Sequence, residues 1–228
     1  MTEEIANEKH VAAAAMPRAL FVYTLLYGGM TVLAGVLAFK QVRLVPTDLA
    51  VEAGIFPYLL LVVISSTLAQ LYGQKRANLL VIWGFVPLAI SALLIFLVLG
   101  LPASSDMDAT RLGSFETVLS STPRIMAAGP AAYGVSLLLN VWIFERLRGS
   151  GDGGGATSLM IRGAIASALS QAIDSVIFIT LAFYGQFPIT NLLIGQVIAK
   201  VALSIVLVPF LITGGVALAK WLDSRQRA

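Results

Sequence analysis

The sequence predicts an all-α, polytopic integral membrane protein, folded as a bundle of six transmembrane helices. Of the 228 residues, 58% are hydrophobic and 12% are charged, and the mean hydropathy is +0.88. A soluble domain does not have this composition. Six apolar runs are each long enough to cross a hydrocarbon core about 30 Å thick, since a helix rises about 1.5 Å per residue. Polarity does not alternate along these runs, which excludes β-barrel spans.

The predicted spans form one transmembrane domain between two short tails. They cover residues 19–39, 55–72, 79–101, 125–144, 159–184 and 192–218. We therefore predict an N-terminal tail over 1–18, a transmembrane domain over 19–218 and a C-terminal tail over 219–228. The first run is too long for the apolar core of a cleaved signal peptide, and it lacks a clear small-residue cleavage site, so we treat it as a span.

The distribution of Lys and Arg predicts that both tails are cytoplasmic. One side of the predicted bundle carries Lys9, Arg18, Lys75, Arg76, Arg146, Arg148, Lys220, Arg225 and Arg227. The opposite side carries Lys40, Arg43, Arg111 and Arg124. The positive-inside rule assigns the richer side to the cytoplasm, and an even number of spans places both termini there. The sequence pI of about 9.3 is therefore a signal of topology and does not indicate a nucleic-acid partner.

Two polar segments separate the predicted spans most clearly. Residues 101–124 form the longest outer loop, in which the segment "SFETVL" is a candidate for a short interfacial helix, and residues 148–158 form a cytoplasmic linker. The linker contains a literal G-x-G-x-x-G pattern at Gly149, Gly151 and Gly154. That pattern binds phosphates only where a strand precedes it and a helix follows, so we interpret this segment as a flexible linker.

Two ionisable residues lie deep in the last two predicted spans. Asp174 is about 15 Å from the outer end of the fifth span, and Lys200 is about 12 Å from the outer end of the sixth. The connecting turn, "GQFPITN", is short, so the two helices should be antiparallel neighbours. The sequence therefore predicts that the ammonium and the carboxylate are able to pair.

Further polar residues recur at helical spacing along four spans. They are Ser66 and Gln70 on the second span, Tyr133, Ser136 and Asn140 on the fourth, Ser167, Ser170, Gln171 and Asp174 on the fifth, and Gln196, Lys200 and Ser204 on the sixth. An ionisable group at membrane depth costs about 2.5 to 3.5 kcal/mol, so it normally faces protein or a wet cavity. Two interpretations stay open, namely a cavity for a polar solute and a structural ion pair that joins helices. Arg124 and Arg162 lie near span ends, where long cationic side chains commonly anchor a helix.

The residues needed for catalysis or metal binding are missing from the predicted spans. The single histidine, His10, lies in the N-terminal tail, and there is no cysteine. A Ser–His pair, a zinc site and a disulfide are therefore excluded, and we predict neither an enzyme nor a cofactor or metal site. Asp174 is the one carboxylate we expect deep in the bundle, which excludes an aspartyl dyad. No channel filter is visible, so a solute carrier is the leading interpretation.

Four segments, in their order and spacing, carry a family resemblance. They are "AGIFPYLLLVVISSTLAQLYGQKRA" at 53–77, "PRIMAAGPAAYGVSLLLNVWIFERLR" at 123–148, "IRGAIASALSQAIDSVIFITLAFYG" at 161–185 and "QVIAKVALSIVLVPF" at 196–210. Together they resemble the queuosine precursor transporter family, also called the vitamin uptake transporter family. The resemblance implies a bacterial inner-membrane carrier of six helices that imports 7-deazaguanine precursors of the tRNA base queuosine by alternating access.

The resemblance also implies particular site residues. Positions that match the family pattern are Arg124, Arg162, Ser167, Ser170, Gln171, Asp174, Ile177, Phe178 and Lys200. The chain departs from that pattern where the family often has Thr-Asp, Glu and Asp, and this sequence has Ser65-Ser66, Gln70 and Asn140. These departures remove carboxylates and leave Asp174 as the expected deep acceptor.

The site hypothesis follows from the hydrogen-bonding groups of a deazaguanine. Two adjacent N–H donors on its pyrimidine edge suit a carboxylate, here Asp174, and its carbonyl oxygen suits an amide or ammonium donor. Lys200 is expected to set the charge state of Asp174. The further predicted site residues are Gln171, Asn140, Gln196 and Gln70 as hydrogen-bond partners, Tyr133 and Phe178 as stacking rings, and Ser66 and Arg124.

Two rival functions and one assembly are also considered. The first rival is the substrate-binding subunit of an ATP-driven vitamin importer, because Ala34 and Ala38 have the small-xxx-small spacing that docks a partner helix. The second is a structural membrane protein whose polar stripes only hold the bundle together. Besides the lipid bilayer and the small-molecule substrate, we expect a homodimer as a partner, on the general frequency of twofold oligomers.

Overall fold

The structure, a computed structural model, describes residues 16–148 and 156–225. Seven helices and one β-hairpin make up this part of the chain. Their bounds are α1 Arg18–Leu37, β1 Gln41–Arg43, β2 Ala50–Glu52, α2 Ile55–Tyr72, α3 Gln74–Leu99, α4 Ala109–Arg148, α5 Ala156–Phe183, α6 Thr190–Val206 and α7 Val208–Ser224. The predicted linker motif at Gly149, Gly151 and Gly154 lies outside the described residues.

Several of these helices are suited to a bilayer. Three described helices, α1, α2 and α3, are individually long and apolar enough to cross a membrane. Helices α6 and α7 meet the same test as a pair, bent by 52° at the break between them. The apolar part of α5 within the described residues, Ser167–Phe183, is shorter than these. The chain is thus an α-helical membrane protein, whereas the number of six spans and the cytoplasmic position of both termini stay predictions.

The outer surface of the bundle is apolar, as lipid contact requires. Large hydrophobic side chains on α3 are strongly exposed, among them Trp83 at 66%, Leu93 at 68% and Phe96 at 61%. The inner face of α3 packs against α1 at Gly84, where an added Cβ would overlap the ring of Tyr27. In a bilayer, apolar exposure of this kind faces lipid and costs no hydration free energy.

Helix α4 begins inside the predicted outer loop. Asp108 caps it, since its Oδ1 accepts a hydrogen bond from the backbone N–H of Arg111 at 2.9 Å. A side-chain oxygen that accepts from the third helical residue is a strong helix start. The segment 109–124, expected as a loop with a short helix at most, is therefore helical throughout, and Pro123 and Pro130 both lie inside α4.

The predicted sixth span is interrupted at Leu207. Helix α6 ends at Val206 and α7 begins at Val208, with Pro209 in the first turn of α7. Proline lacks the N–H that would continue the ladder of α6, and it suits a helix start. Helix α7 then continues to Ser224, so residues 219–224, which we expected in the C-terminal tail, are helical.

A short antiparallel hairpin between α1 and α2 was not expected from the sequence. Strand β1 pairs with β2 in the register Gln41 to Glu52, Val42 to Val51 and Arg43 to Ala50. The hairpin rests on α6 at Gly195, where an added Cβ would overlap the carbonyl oxygen of Ala50. Only glycine allows this close approach of the two backbones. As a result, the end of β2 is carried to the middle of α6.

Three helices meet at the end of the bundle where α1 begins. The carboxylate of Asp223 on α7 accepts the backbone N–H of Ala19 at 2.9 Å through Oδ1 and the hydroxyl of Tyr72 at 2.5 Å through Oδ2. Nearby, the hydroxyl of Tyr23 donates to the carbonyl of Gly215 at 2.6 Å. We call Ala19, Tyr72 and Asp223 the terminal clasp. It joins α1, α2 and α7, so the far end of α7 is held in place despite the break at Leu207.

We expect Asp223→Ala to weaken the terminal clasp. The variant loses both hydrogen bonds to the carboxylate and leaves two donors without it, which corresponds to about 1–3 kcal/mol of stability. The thermal unfolding midpoint in detergent should fall clearly. Asp48→Ala is the matched control, because Asp48 forms an exposed ion pair with Arg43 and its side chain is 87% accessible. An equal midpoint shift in the two variants would show that the clasp does not stabilise the bundle.

Candidate functional site

A cavity of about 170 Å³ lies between α1, α2, α3, α4, α5, α6 and the hairpin. Its charged lining is Glu52, Asp174 and Lys200, and its aromatic lining is Tyr27, Tyr58, Phe85, Tyr133 and Phe178. An apolar cavity of about 150 Å³ is known to admit benzene. The cavity therefore has the size of a small planar ring system, with charge gathered at one pole.

An ion pair between α5 and α6 forms the centre of the charged pole. Lys200 Nζ lies 2.7 Å from Asp174 Oδ2, and Ser136 Oγ donates to Asp174 Oδ1 at 3.2 Å. Both charged residues are buried, with 4% exposure for Lys200 and 7% for Asp174. The short turn between the two helices brings the charges to one depth, so the pairing that the sequence predicts is present.

Two rings flank the ammonium group of this pair. Lys200 Nζ lies 4.4 Å from the ring centroid of Tyr58 and 5.7 Å from that of Phe178. A cation within about 6 Å of a ring centroid is attracted by the ring's negative face. Aromatic rings and the carboxylate together hold Lys200 in a fixed place at the cavity wall.

Glu52, at the end of β2, is a second buried carboxylate of the cavity. It is 3% exposed. Gln196 Nε2 donates to Glu52 Oε1 at 2.6 Å, and the backbone N–H of Glu52 donates to Gln196 Oε1 at 3.2 Å. These two bonds fix the carboxylate against α6. Glu52 Oε2 is also buried, beside Gly54 at the start of α2, and within residues 16–148 and 156–225 no donor meets it with hydrogen-bond geometry.

The surroundings of Glu52 act on its charge in opposite directions. Burial raises the pKa of Glu52 to about 7, against the opposing effects of Lys200, the bond from Gln196 and the backbone N–H groups of Gly54 and Ile55. Those two N–H groups belong to the start of α2, where helix N-termini favour negative charge. The carboxylate therefore titrates near neutral pH.

Glu52 is the site residue that the sequence reasoning missed. Our expectation that Asp174 is the one deep acceptor is wrong, because Glu52 is equally buried and lines the same cavity. A signal existed in the sequence, since Glu52 is a lone acid in the apolar stretch "LAVEAGIFPYLLL". It precedes the predicted span by three residues, so the helical spacing within the spans does not group it with the other polar residues.

The other predicted site residues divide into those at the cavity and those away from it. Tyr133 and Phe178 line the cavity, and the Tyr133 ring packs edge-on against Phe85 with centroids 5.9 Å apart. Gln196 is fully buried and reaches the site through Glu52. Gln171 instead links α5 to α6, because its Oε1 accepts from Ser204 Oγ at 2.6 Å and its Nε2 donates to Ser167 Oγ at 3.1 Å.

Three further predicted residues, besides Gln171, are not brought to the cavity. On α2, Ser65 lines it in place of Ser66, and Gln70 is exposed. Arg124 is exposed and donates to the carbonyls of Leu181 and Tyr184 at 2.7 and 2.8 Å. These carbonyls lie at the end of α5, so the guanidinium caps that helix. Arg124 therefore acts as an anchor, as its place near a span end indicated.

The side chains of two further predicted residues lie outside the described part of the structure. The backbone of Asn140 belongs to α4 and that of Arg162 to α5, but their side chains are not among those described. Among the side chains that are described, no three His, Cys, Asp or Glu groups lie close enough together to hold a metal ion.

Comparisons with known proteins place the chain among transporters. The family model described as "Putative vitamin uptake transporter" matches residues 52–214. A protein of Bacillus subtilis (strain 168) named "Probable queuosine precursor transporter" is 28% identical over 190 residues, which cover 80% of this chain and 79% of that protein. No solved structure matches the chain. The matched range of the family model contains Glu52, Asp174 and Lys200.

We expect the buried ion pair to show a strong non-additive effect on stability. Asp174→Asn or Lys200→Met alone leaves one buried charge unpaired, which costs about 3–5 kcal/mol. The double variant removes both charges, so its thermal midpoint should recover most of the loss. Additive losses measured across this double-mutant cycle would show that the two charges do not compensate each other.

The buried Glu52 should make stability depend on pH. Because its pKa is raised to about 7 from an ordinary value of 4.5, the folded state favours the protonated form. Stability is then greatest below the ordinary value and falls as pH rises through about 7. We expect the thermal midpoint of the native protein to drop between pH 5 and pH 8, and Glu52→Gln to flatten this drop. Parallel pH profiles for the two proteins would contradict the burial of an ionisable group here.

Proposed function

Because the chain belongs to the family described as "Putative vitamin uptake transporter", we propose that it is a membrane carrier for a queuosine precursor. The proposed substrates are 7-cyano- and 7-aminomethyl-7-deazaguanine, moved inwards across the bacterial inner membrane. The name of the Bacillus subtilis relative supports this substrate class. The family match and the relative also confirm the family resemblance that the sequence carries.

The observation that carries the proposal is the composition of the cavity wall. One pole holds buried Asp174, Lys200 and Glu52, and the remainder is largely aromatic and aliphatic. A deazaguanine has the complementary form, a flat ring system with N–H donors and a carbonyl oxygen on one edge. Aromatic faces provide stacking, and fixed polar groups orient the ring. Tyr133 and Phe178 are the proposed stacking partners.

Alternating access is proposed to use the break between α6 and α7. Lys200 lies on α6, less than two helical turns before the break at Leu207, and the hydrogen-bonded ladder is bent there by 52°. Broken helices at a central binding site are common in carriers, since they permit one half of a helix to move relative to the other. Movement of α6 would open the charged pole while the terminal clasp keeps the end of α7 fixed.

The rival role as a subunit of an ATP-driven importer loses its main sequence support. Ala38 is 1% exposed and Ala34 lines the cavity, so the small-xxx-small face of α1 is used inside the protein. It is not available in this form to a partner helix. A carrier that acts without an ATPase is therefore the proposal that the packing of α1 favours.

Uptake by purified protein in liposomes tests this proposal. We expect wild-type protein alone to accumulate 7-cyano-7-deazaguanine, and Asp174→Asn to reduce uptake at least about tenfold, because an unpaired ammonium is left at the cavity wall. Asp48→Asn, in the exposed hairpin turn, is the control and should transport normally. Normal uptake by Asp174→Asn would show that this cavity is not the transport site. Uptake only with an added ATPase would favour the role as a subunit of an ATP-driven importer.

A further inference from the structure

The acceptor atoms at the charged pole of the cavity are unequally occupied. Asp174 Oδ2 is paired with Lys200, and Asp174 Oδ1 accepts from Ser136. Glu52 Oε1 accepts from Gln196. Glu52 lines the cavity, and its Oε2 is buried beside Gly54, where it has no hydrogen-bond partner in the described part of the chain. A buried carboxylate oxygen without a donor is costly, so such an atom normally has a partner that arrives from elsewhere.

The position of Glu52 is fixed before any ligand arrives. Its side chain and its backbone N–H both bond to the amide of Gln196, and β2 lies against α6 at Gly195. A rigidly held acceptor gives both affinity and selectivity, since little conformational freedom is lost on binding. The carboxylate whose second oxygen lacks a donor thus belongs to a firmly held residue of the cavity lining.

The formal charges of Lys200, Asp174 and Glu52 also indicate that Glu52 is the acceptor. Lys200 and Asp174 neutralise each other at 2.7 Å, so the carboxylate of Glu52, when it is ionised, is the one charge of these three groups without its own counter-charge. The other groups that face Glu52 are the phenol of Tyr58 on α2 and the N–H groups at the start of that helix. A substrate with N–H donors completes this arrangement, whereas a substrate with an acceptor edge or a negative charge is repelled.

We infer that Glu52 is the carboxylate that accepts the donor edge of the transported heterocycle, and that Asp174 serves to neutralise Lys200. The inference rests on the proposed carrier function and reassigns the role that the sequence suggested for Asp174. Oε2 takes one N–H donor, and the second lone pair of Oε1 accepts the neighbouring donor. The site then selects a 2-amino-pyrimidinone edge over the same ring without the amino group.

The inference also explains why replacement of Asp174 should harm transport. In Asp174→Asn, the ammonium of Lys200 has lost its counter-charge and is free to pair with Glu52. The substrate's acceptor would then be occupied by the protein itself. Removal of both charges, in Asp174→Asn with Lys200→Met, avoids this competition and leaves Glu52 available.

Three ligands and three proteins test the assignment. The ligands are 7-cyano-7-deazaguanine, the same ring without the 2-amino group, and the same ring with oxygen in its place. The proteins are the wild type, Glu52→Gln and the Asp174→Asn/Lys200→Met double variant, with dissociation constants measured by calorimetry in detergent. We expect wild type to prefer the 2-amino compound about 10- to 100-fold, the scale of one hydrogen bond to a charged group.

Glu52→Gln should reverse this preference. Because Gln196 donates to the Oε1 position, the new amide places its NH₂ where Oε2 was, which favours the 2-oxo compound over the 2-amino compound. A purely structural role of Glu52 would weaken all three ligands alike. The double variant should keep the wild-type preference, and it decides the question if Glu52→Gln does not fold.

Two outcomes would overturn the assignment in distinguishable ways. If wild type binds none of the three compounds, the proposed carrier function fails and this inference fails with it. If wild type binds and Glu52→Gln keeps the 2-amino preference, or the double variant loses it, the carrier function stands and the acceptor is not Glu52.

Discussion

An ammonium group in the interior of a membrane protein needs a counter-charge, and the pair of Lys200 with Asp174 meets that need. The two groups are 2.7 Å apart and nearly inaccessible, so each would be costly without the other. Their contact also holds α5 and α6 at one relative depth. Ser136 on α4 and the rings of Tyr58 and Phe178 then pack around the pair. The cavity is built on this neutralised pair.

The hairpin brings a second carboxylate, that of Glu52, to the site of the ion pair. Strand β2 approaches α6 at Gly195, and this places Glu52 against Gln196. The acidic side chain of Glu52 thus reaches the middle of the bundle from a strand and not from a spanning helix. The N-terminus of α2, directly after Glu52, contributes backbone N–H groups that favour its ionised form. In this cavity Asp174 neutralises Lys200, whereas the carboxylate oxygen without a hydrogen-bond partner in the described part of the chain belongs to Glu52.

The end of α7 is tied to two other helices, and its start adjoins the break with α6. Asp223 ties the end of α7 to α1 and α2 through two hydrogen bonds, whereas the break at Leu207 leaves α6 and α7 without a continuous ladder. Lys200 lies on the α6 side of that break. The proposed carrier mechanism uses this arrangement, because a broken helix beside a binding site permits one half to move relative to the other.

Composition and helical spacing determined much of this protein without any coordinates. Apolar runs predicted the helical membrane class, and the turn between the last two runs predicted the pairing of Asp174 with Lys200. Both properties are local, since they depend on residues within one helix or on two helices joined by a short turn. Tyr133 shares a helix face with Ser136, whose hydroxyl reaches Asp174, whereas Phe178 entered the site prediction with the family resemblance.

Only the tertiary structure decided which polar groups reach the cavity. Glu52 and Gln196 are 144 positions apart, and nothing in the sequence relates them. Arg124 was assigned to the site by family resemblance, yet it lies against the carbonyls that end α5. Periodicity shows which residues share a face of one helix, but the neighbour opposite that face is set by packing between distant segments. The lone acid before α2 therefore became a candidate acceptor only when the hairpin was seen to rest on α6.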